Sequence, residues 1–249
     1  MEVVGDISST LRALNQRINE KICPFNTQWF RPIRKKNLDD INSYKLKKGE
    51  AFTIPGTIHI LNEIMDDDDL LISDVGSHKL WIARNYLTAS PNGCIMSNGL
   101  ASMGIALPGG VAASLVYPDR RIVAAMGDGG FLMNSQELET AKRLNCHFTT
   151  IIFNDNDYGL ISWKQMMNRG RSTSTCISNP DFKKYTESFG IKAYRPRTVK
   201  ELKDQLTEAM TSKELSVVEV PVVTHVNQDL VKKLKKYYEQ SQPKRRQRK

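Results

Sequence analysis

Residues 126–160 read MGDGGFLMNSQELETAKRLNCHFTTIIFNDNDYGL, and this stretch decides the fold. Just before and into it, RIVAAM (121–126) is a short apolar run of strand length, followed by Gly127-Asp128-Gly129-Gly130, which reads as a tight turn. NSQELETAKRLN (134–145) has helical periodicity, and FTTIIF (148–153) is a second strand running into Asn154-Asp155-Asn156-Asp157. A strand, a helix and a strand in this order form a crossover unit whose two strands are parallel. Asp128 and Asp155 therefore emerge together at the carboxyl edge of one sheet, where open α/β sheets bind ligands. The fold class is α/β, a parallel sheet flanked by helices on both faces.

These residue types fit one kind of chemistry. Glycines after Asp128 let backbone N–H groups approach a phosphate, and the helix that follows offers its positive end. A hard cation such as Mg²⁺ or Ca²⁺ takes carboxylate, carbonyl and phosphate oxygens, which Asp128, Asp155 and a backbone carbonyl near Asp157 can supply. Alone, a Gly-Asp-Gly is an ordinary turn and NDND an ordinary polar loop. Bracketing one strand-helix-strand unit, they must converge. The rival phosphate motifs are missing: no glycine loop ends in Lys-Ser or Lys-Thr, and no dinucleotide fingerprint follows the first strand.

The span resembles the metal and diphosphate motif of thiamin diphosphate enzymes, and is most similar to acetolactate synthases of the catabolic, FAD-independent kind. DVGSHKLWIAR (74–84), MSNGLASMGIALPGGVAASLVYP (96–118), GDGGF with ELETAKRL (127–144) and DFKKYTESFG (181–190) carry the likeness, which runs from about residue 3 to about residue 223. It implies a thiamin diphosphate-binding fold with Mg²⁺, in which Asp128 and Asp155 are side-chain metal ligands and Asp157 gives its backbone carbonyl. Gly76, Ser77 and His78 would line the diphosphate, and Gly129 and Gly130 would donate N–H groups to it. Met103 would wedge under the bent cofactor, the Ala101 carbonyl would accept from the aminopyrimidine, and Tyr158 would lie against the cofactor. Read without the family, Met103 is equally a core residue and His78 a hydrogen-bonded histidine.

The same resemblance implies a transferase of branched-chain amino acid biosynthesis, which decarboxylates pyruvate and condenses the product with a second 2-oxo acid. In the family the acid that activates the cofactor is a Glu in the amino-terminal, pyrimidine-binding domain of a neighbouring subunit. Glu137 and Glu139 match helix positions instead, so no catalytic group is expected in this chain, and acetolactate formation is not expected from it alone. A partner chain carrying the pyrimidine-binding domain, within a homo- or hetero-oligomer, is implied. YGLISWKQMMNRGRSTSTC (158–176) begins as a helix over the cofactor cleft. Here Trp163 and Lys164 stand where catabolic enzymes have an apolar residue followed by Gln, which leaves the acceptor 2-oxo acid open.

At 249 residues the chain holds one α/β domain with an extension, the last third to half of such an enzyme. Residues 1–50 read as a strand and helix from the family's middle domain followed by a linker containing RPIRKK, 51–231 as the cofactor domain, and 232–249 as a basic, disordered tail. That tail has nine Lys or Arg and one Glu, so it carries eight of the nine net positive charges and leaves a nearly neutral body. Such a tail can meet nucleic acid or anionic surfaces, but a neutral body argues against nucleic acid as the main partner. Asp66 to Asp69 reads as a solvated turn. Residues 98–115 read as one helix rich in small residues. The longest apolar run, 105–116, is interrupted by Pro108 and two glycines, so no membrane span is expected. Four cysteines without paired spacing, and no signal peptide after Met1, fit a reducing cytoplasm. Two other readings stay open: a truncated, non-catalytic cofactor-binding protein, and a nucleic-acid or surface module acting through its tail.

Overall fold

A computed structural model describes residues 4–18 and 27–233. The basic tail beyond Lys233 and the segment 19–26, with Cys23, lie outside the described residues. The chain divides into two units, Met1–Asp40 and Ile41–Lys249. The first carries α1 (Ile7–Arg17), opened by the Asp6 carboxylate accepting from the Ser9 N–H at 2.8 Å, and most of α2 (Arg31–Asn42). Two expectations are corrected here. Val4 is not in a strand, and the supposed linker around RPIRKK is helical, because Pro32 sits in the first turn, where its missing N–H is no loss.

The second unit runs α3 (Ile54–Ile64), β1 (Leu70–Ser73), α4 (Ser77–Asn85), β2 (Cys94–Met96), α5 (Ala106–Val116), β3 (Ile122–Gly127), α6 (Asp128–Asn134), α7 (Glu137–Arg143), β4 (Thr149–Asn154), α8 (Gly159–Arg169), α9 (Phe182–Ser188), β5 (Lys192–Tyr194), α10 (Val199–Thr211) and β6 (Ser216–Pro221). All pairings are parallel, in the order β2-β1-β3-β4-β6-β5. The four inner strands are buried on both faces, which is why they read as continuous apolar runs.

Alternate residues of each strand feed two separate cores. Leu71, Val123, Ala125, Ile151 and Val218 pack with α3, α4 and α10 through Ile58, Leu61, Trp81 and Leu206. Leu70, Ile72, Ala124, Ile152 and Val217 pack with α5, α6, α7 and α9 through Leu107, Phe131, Leu138 and Phe182. Trp81 is fully buried, and its Nε1 donates to Asn227 Oδ1 at 2.7 Å, tying α4 to the segment after β6. The chain leaves β1 for β2 on one side, whereas β3 lies on the other. The order reverses between β1 and β3, and a crevice opens there at the carboxyl ends of the strands.

Several local readings change. GDGG is not a turn ahead of a helix: Gly127 ends β3 and caps α6, which Asp128 opens, and of the helix expected over 134–145 only Glu137–Arg143 forms, as the separate α7. Helical glycines are kept there by crowding, since a Cβ on Gly129 would lie 2.7 Å from the Tyr158 ring. The helix drawn over 98–115 starts only at Ala106, because Gly99, Ala101 and Gly104 all take positive φ and the chain loops instead. Asp69 is not part of a solvated turn. It is buried, and its carboxylate accepts from Arg121 Nε at 2.9 Å and Nη2 at 2.6 Å. Cys94, Cys146 and Cys176 are free thiols. No helix of the described residues is long and apolar enough to cross a membrane.

Ile152 is fully buried in a central strand, and Leu100 is 97% exposed. Ile152→Ala should lower the unfolding free energy by about 2–5 kcal/mol in urea titrations, whereas Leu100→Ala should change it by no more than about 0.5 kcal/mol.

Candidate functional site

Three adjacent strand ends build the site. After β1 the chain turns through Asp74, Val75 and Gly76 into α4. Gly76 is required both by its backbone, at φ +159° and ψ −166°, which residues with a side chain rarely adopt, and by closeness, since a Cβ there would sit 2.8 Å from His78 Cε1. The His78 ring folds back against the sheet and stacks on Phe153, with centroids 5.8 Å apart and planes at 24°. Burial, aided by the Lys79 charge, pushes its pKa down to about 4 against a hydrogen bond to the Asp74 backbone, so the ring is neutral at pH 7. Its Nε2 is buried without a hydrogen-bond partner, a cost tolerated where a ligand can supply one.

Asp74 holds the next wall. Its carboxylate accepts from the Gly104 and Ile105 N–H groups at 3.0 Å each, capping the entry to α5. Asn134 Nδ2 donates to the Gly104 carbonyl at 2.9 Å from the other side. Gly130 must be glycine here, because a Cβ would overlap the Asp74 carboxylate. Within this pinned loop Ala101 takes φ +49°, a left-handed conformation that costs an alanine roughly 1–2 kcal/mol. Strain of this kind persists where the surroundings over-determine it, often at ligand sites.

The acidic groups lie between β3 and β4. Asp128, at the first position of α6, is buried and fully engaged at one oxygen. Its Oδ1 accepts from the Gly129 N–H at 2.8 Å, and its Oδ2 accepts from the Asn156 N–H at 2.8 Å and from Asn179 Nδ2 at 2.7 Å. Asn156 takes φ +56°, which asparagine tolerates better than most residues, and this bends 155–157 back toward Asp128. Two strand-like hydrogen bonds, Tyr158 N–H to the Thr175 carbonyl and Ile177 N–H to the Asn156 carbonyl, both 2.9 Å, flank Asp157 and use neither its N–H nor its carbonyl. Asp157 Oδ1 is buried and unpartnered. Burial and the neighbouring Asp128 charge push Asp155 up to about 7, and burial raises Asp128 as well.

A cavity of 230 Å³ lies over these three strand ends. Gly76, Ser77 and His78 form one side, and Ala101 and Met103 another. Asp128, Gly129 and Gly130 form the floor with Asp155, and Asp157 and Tyr158 close the rim. Every residue expected to hold the metal or the cofactor thus lines one space, including Met103, which sits in the loop and not on a helix. One detail differs from expectation: the Gly129 N–H is already held by the Asp128 carboxylate. Trp163 packs partly against the core and lines a neighbouring 320 Å³ cavity that shares Asp157 and Gly159 with the first.

Among the described residues, no group of three or more His, Cys, Asp or Glu side chains is arranged to hold a metal ion. The donor set is two carboxylates, with a third beside them and a backbone carbonyl outside the strand-like ladder. That set suits a hard cation whose remaining ligands are phosphate and water oxygens. A buried carboxylate, Asp128, beside a half-buried one, Asp155, whose proton affinity it raises, forms a site short of positive charge, and the residues present therefore fit a bound cation with its phosphate.

Four further participants carry no signal of their own in the sequence: Asp74, Asn154 and Gly159 stand there only as parts of longer motifs, and Asn179 in none of them. A Cβ on Gly159 would lie 2.5 Å from Asp155 Oδ2, so that glycine admits the carboxylate to the start of α8. Asn154 Nδ2 donates to the buried Glu219 Oε1 at 2.8 Å, linking β4 to β6. Asn179 reaches in from a loop with no periodicity, and only its place before the helix-capping Asp181 marks it in the sequence.

Residues 74–220 match the family model for the thiamine pyrophosphate enzyme, C-terminal TPP binding domain. Acetolactate synthase of Bacillus subtilis (strain 168) is 31% identical over 233 residues, covering 89% of this chain and 39% of the relative. Catabolic acetolactate synthase of Raoultella terrigena is 34% identical over 227 residues, with 89% and 40% covered. The large subunit of acetolactate synthase isozyme 2 of Escherichia coli (strain K12) is 32% identical over 190 residues, with 75% and 33% covered. The chain spans about two fifths of the length of the first two.

The raised Asp155 proton affinity sets a pH dependence for the metal-free protein. A carboxyl group whose folded pKa of about 7 exceeds the ordinary 3.8 contributes stability that is fully present below 3.8 and lost as pH rises through 7. Asp155→Asn keeps the acceptor oxygen but not the charge. The metal-free variant should therefore melt above the wild type at pH 8, and this advantage should shrink steadily as the pH is lowered to 4, as read by calorimetry in EDTA.

Proposed function

The chain belongs to the thiamine pyrophosphate enzymes, as their C-terminal cofactor-binding domain, and from this premise we propose that it is the diphosphate- and Mg²⁺-binding part of an acetolactate synthase-like enzyme. The observation that carries the reading is the shared cavity at the β1/β3 reversal, lined by both acidic turns and by the unpartnered His78 Nε2. Asp128 and Asp155 hold Mg²⁺ with the Asp157 carbonyl. The Ser77 hydroxyl at the start of α4, the His78 ring and the Gly130 N–H receive the diphosphate. Gly129 serves by leaving room for Tyr158. Met103 and the Ala101 carbonyl position the rest of the cofactor.

Thiamin diphosphate, when bound, supplies the carbanion chemistry by which a 2-oxo acid is decarboxylated and its two-carbon unit transferred. The protein's share is binding, orientation and exclusion of water. Neutral His78, which carries no charge to compete with the cation, lines the space with a polar atom. Asp128 and Asp155 would hold the cation, whose charge would offset theirs and favour the diphosphate beside it. Pyruvate as donor, and pyruvate or another 2-oxo acid as acceptor, are the substrates that an acetolactate synthase-like reaction would take. Turnover requires a pyrimidine-binding domain with its activating Glu, because the acids lining this cavity, Asp128, Asp155 and Asp157, all belong to the metal group.

Thiamin diphosphate with Mg²⁺ should bind the wild-type chain saturably in isothermal titration. Asp128→Ala and Asp155→Ala should each weaken it by more than tenfold, by loss of a metal ligand. Pyruvate consumption should be absent with this chain alone and appear on adding a chain that carries the pyrimidine-binding domain. Binding untouched by either substitution would refute the assignment.

A further inference from the structure

We infer that Asn179 is a positioning residue for the cation site, fixing which oxygen of Asp128 is left to bind the metal; the inference rests on the cofactor reading above. Asn179 lies 51 residues beyond Asp128 in sequence, yet its Nδ2 donates to Asp128 Oδ2 at 2.7 Å, to Asn154 Oδ1 at 3.0 Å and to Asn156 Oδ1 at 3.1 Å. One amide group thus touches the end of β3, the end of β4 and the bend between Asp155 and Asp157. Its Oδ1 is buried and has no hydrogen-bond partner, so the side chain is held in place through its donor end alone.

The lone-pair count gives the consequence. An ionised carboxylate offers about four acceptor positions, two on each oxygen. Asp128 Oδ2 receives two donors, the Asn156 N–H and Asn179 Nδ2, and is filled. Oδ1 receives one, the Gly129 N–H, and keeps one position open. The cation is thereby directed to Oδ1, in a single-oxygen contact. Without Asn179 the carboxylate has a second open position, can rotate, and must be reordered when the metal binds.

The neighbours of Asn179 are themselves anchored, so its position is not a loop accident. Asn154, which accepts from it, donates to Glu219 Oε1 at 2.8 Å, and Arg195 Nε stands 3.5 Å from Glu219 Oε2. The two hydrogen bonds between 156–158 and 175–177 bring the loop alongside the acidic bend just before Asn179. Loss of outer partners of metal-binding groups commonly weakens metal affinity by about 10- to 100-fold.

Mn²⁺ replaces Mg²⁺ as the probe, in the presence of thiamin diphosphate, and free Mn²⁺ is read by electron paramagnetic resonance on the full chain. Asn179→Ala should weaken Mn²⁺ binding by about 10- to 100-fold. The isosteric Asn179→Asp, which can only accept, should weaken it too, and Asn179→Ser, which keeps a donor, should recover part of the loss. The metal-free variants serve as the structural control: losing a hydrogen bond to a charged group should lower their melting temperatures by several degrees, in one cooperative transition that leaves the chain folded at the titration temperature. Equal Mn²⁺ affinity in wild type and Asn179→Ala, or an affinity loss that goes with unfolding of the metal-free variant at the titration temperature, would overturn the positioning role while leaving the cofactor reading intact. Absence of Mn²⁺ binding by the wild type itself would overturn the cofactor reading.

Discussion

The buried Asp128 carboxylate is the constraint on which the rest of the site depends. It accepts from Gly129 within the first turn of its own helix, draws in the bend at Asn156, and holds Asn179, which also reaches Asn154 at the end of β4. Take that charge away and three segments lose a common acceptor. Each hydrogen bond to a charged group contributes about 1.5–3 kcal/mol, so the local order around the crevice rests largely on one side chain. Gly129, Gly130 and Gly159 serve the same arrangement by leaving room for Tyr158, Asp74 and Asp155.

That arrangement stores an electrostatic deficit. Asp155 stands beside Asp128 in a crevice where both are largely shielded from water, and the proton affinity of each rises in consequence. In the proposed function a divalent cation would remove the deficit and attract phosphate oxygens, which would couple cofactor and metal by charge and not merely by proximity. The sheet contributes by geometry: because β3 and β4 are parallel neighbours, two acidic residues 27 positions apart emerge side by side on one edge.

The sequence made the sheet legible because its inner strands are buried on both faces and must be continuously apolar. LLIS, IVAAMG and TTIIFN stand out from their surroundings for that reason. Acidic turns at their ends were legible for the same cause, since a charge directly after a buried strand needs a purpose. Helix boundaries were less so. The glycine-rich stretch 98–105 looked helical by composition but is folded into a loop by Asp74 and Asn134, two contacts across 30 residues of sequence that no local pattern reports. Asp69 looked solvated until its partner Arg121 was found across the β1–β3 pair. Asn179 stayed hidden because its role is set wholly by tertiary contact.

The account's central claim is that the two acidic turns share one cation at the β1/β3 reversal. A crystal of the chain grown with thiamin diphosphate and Mn²⁺, with an anomalous map collected at the manganese edge, tests it most directly. The account predicts one strong peak at about 2.0–2.6 Å from a single oxygen each of Asp128 and Asp155. A peak elsewhere on the protein, or a bound diphosphate with no metal between those carboxylates, would contradict it.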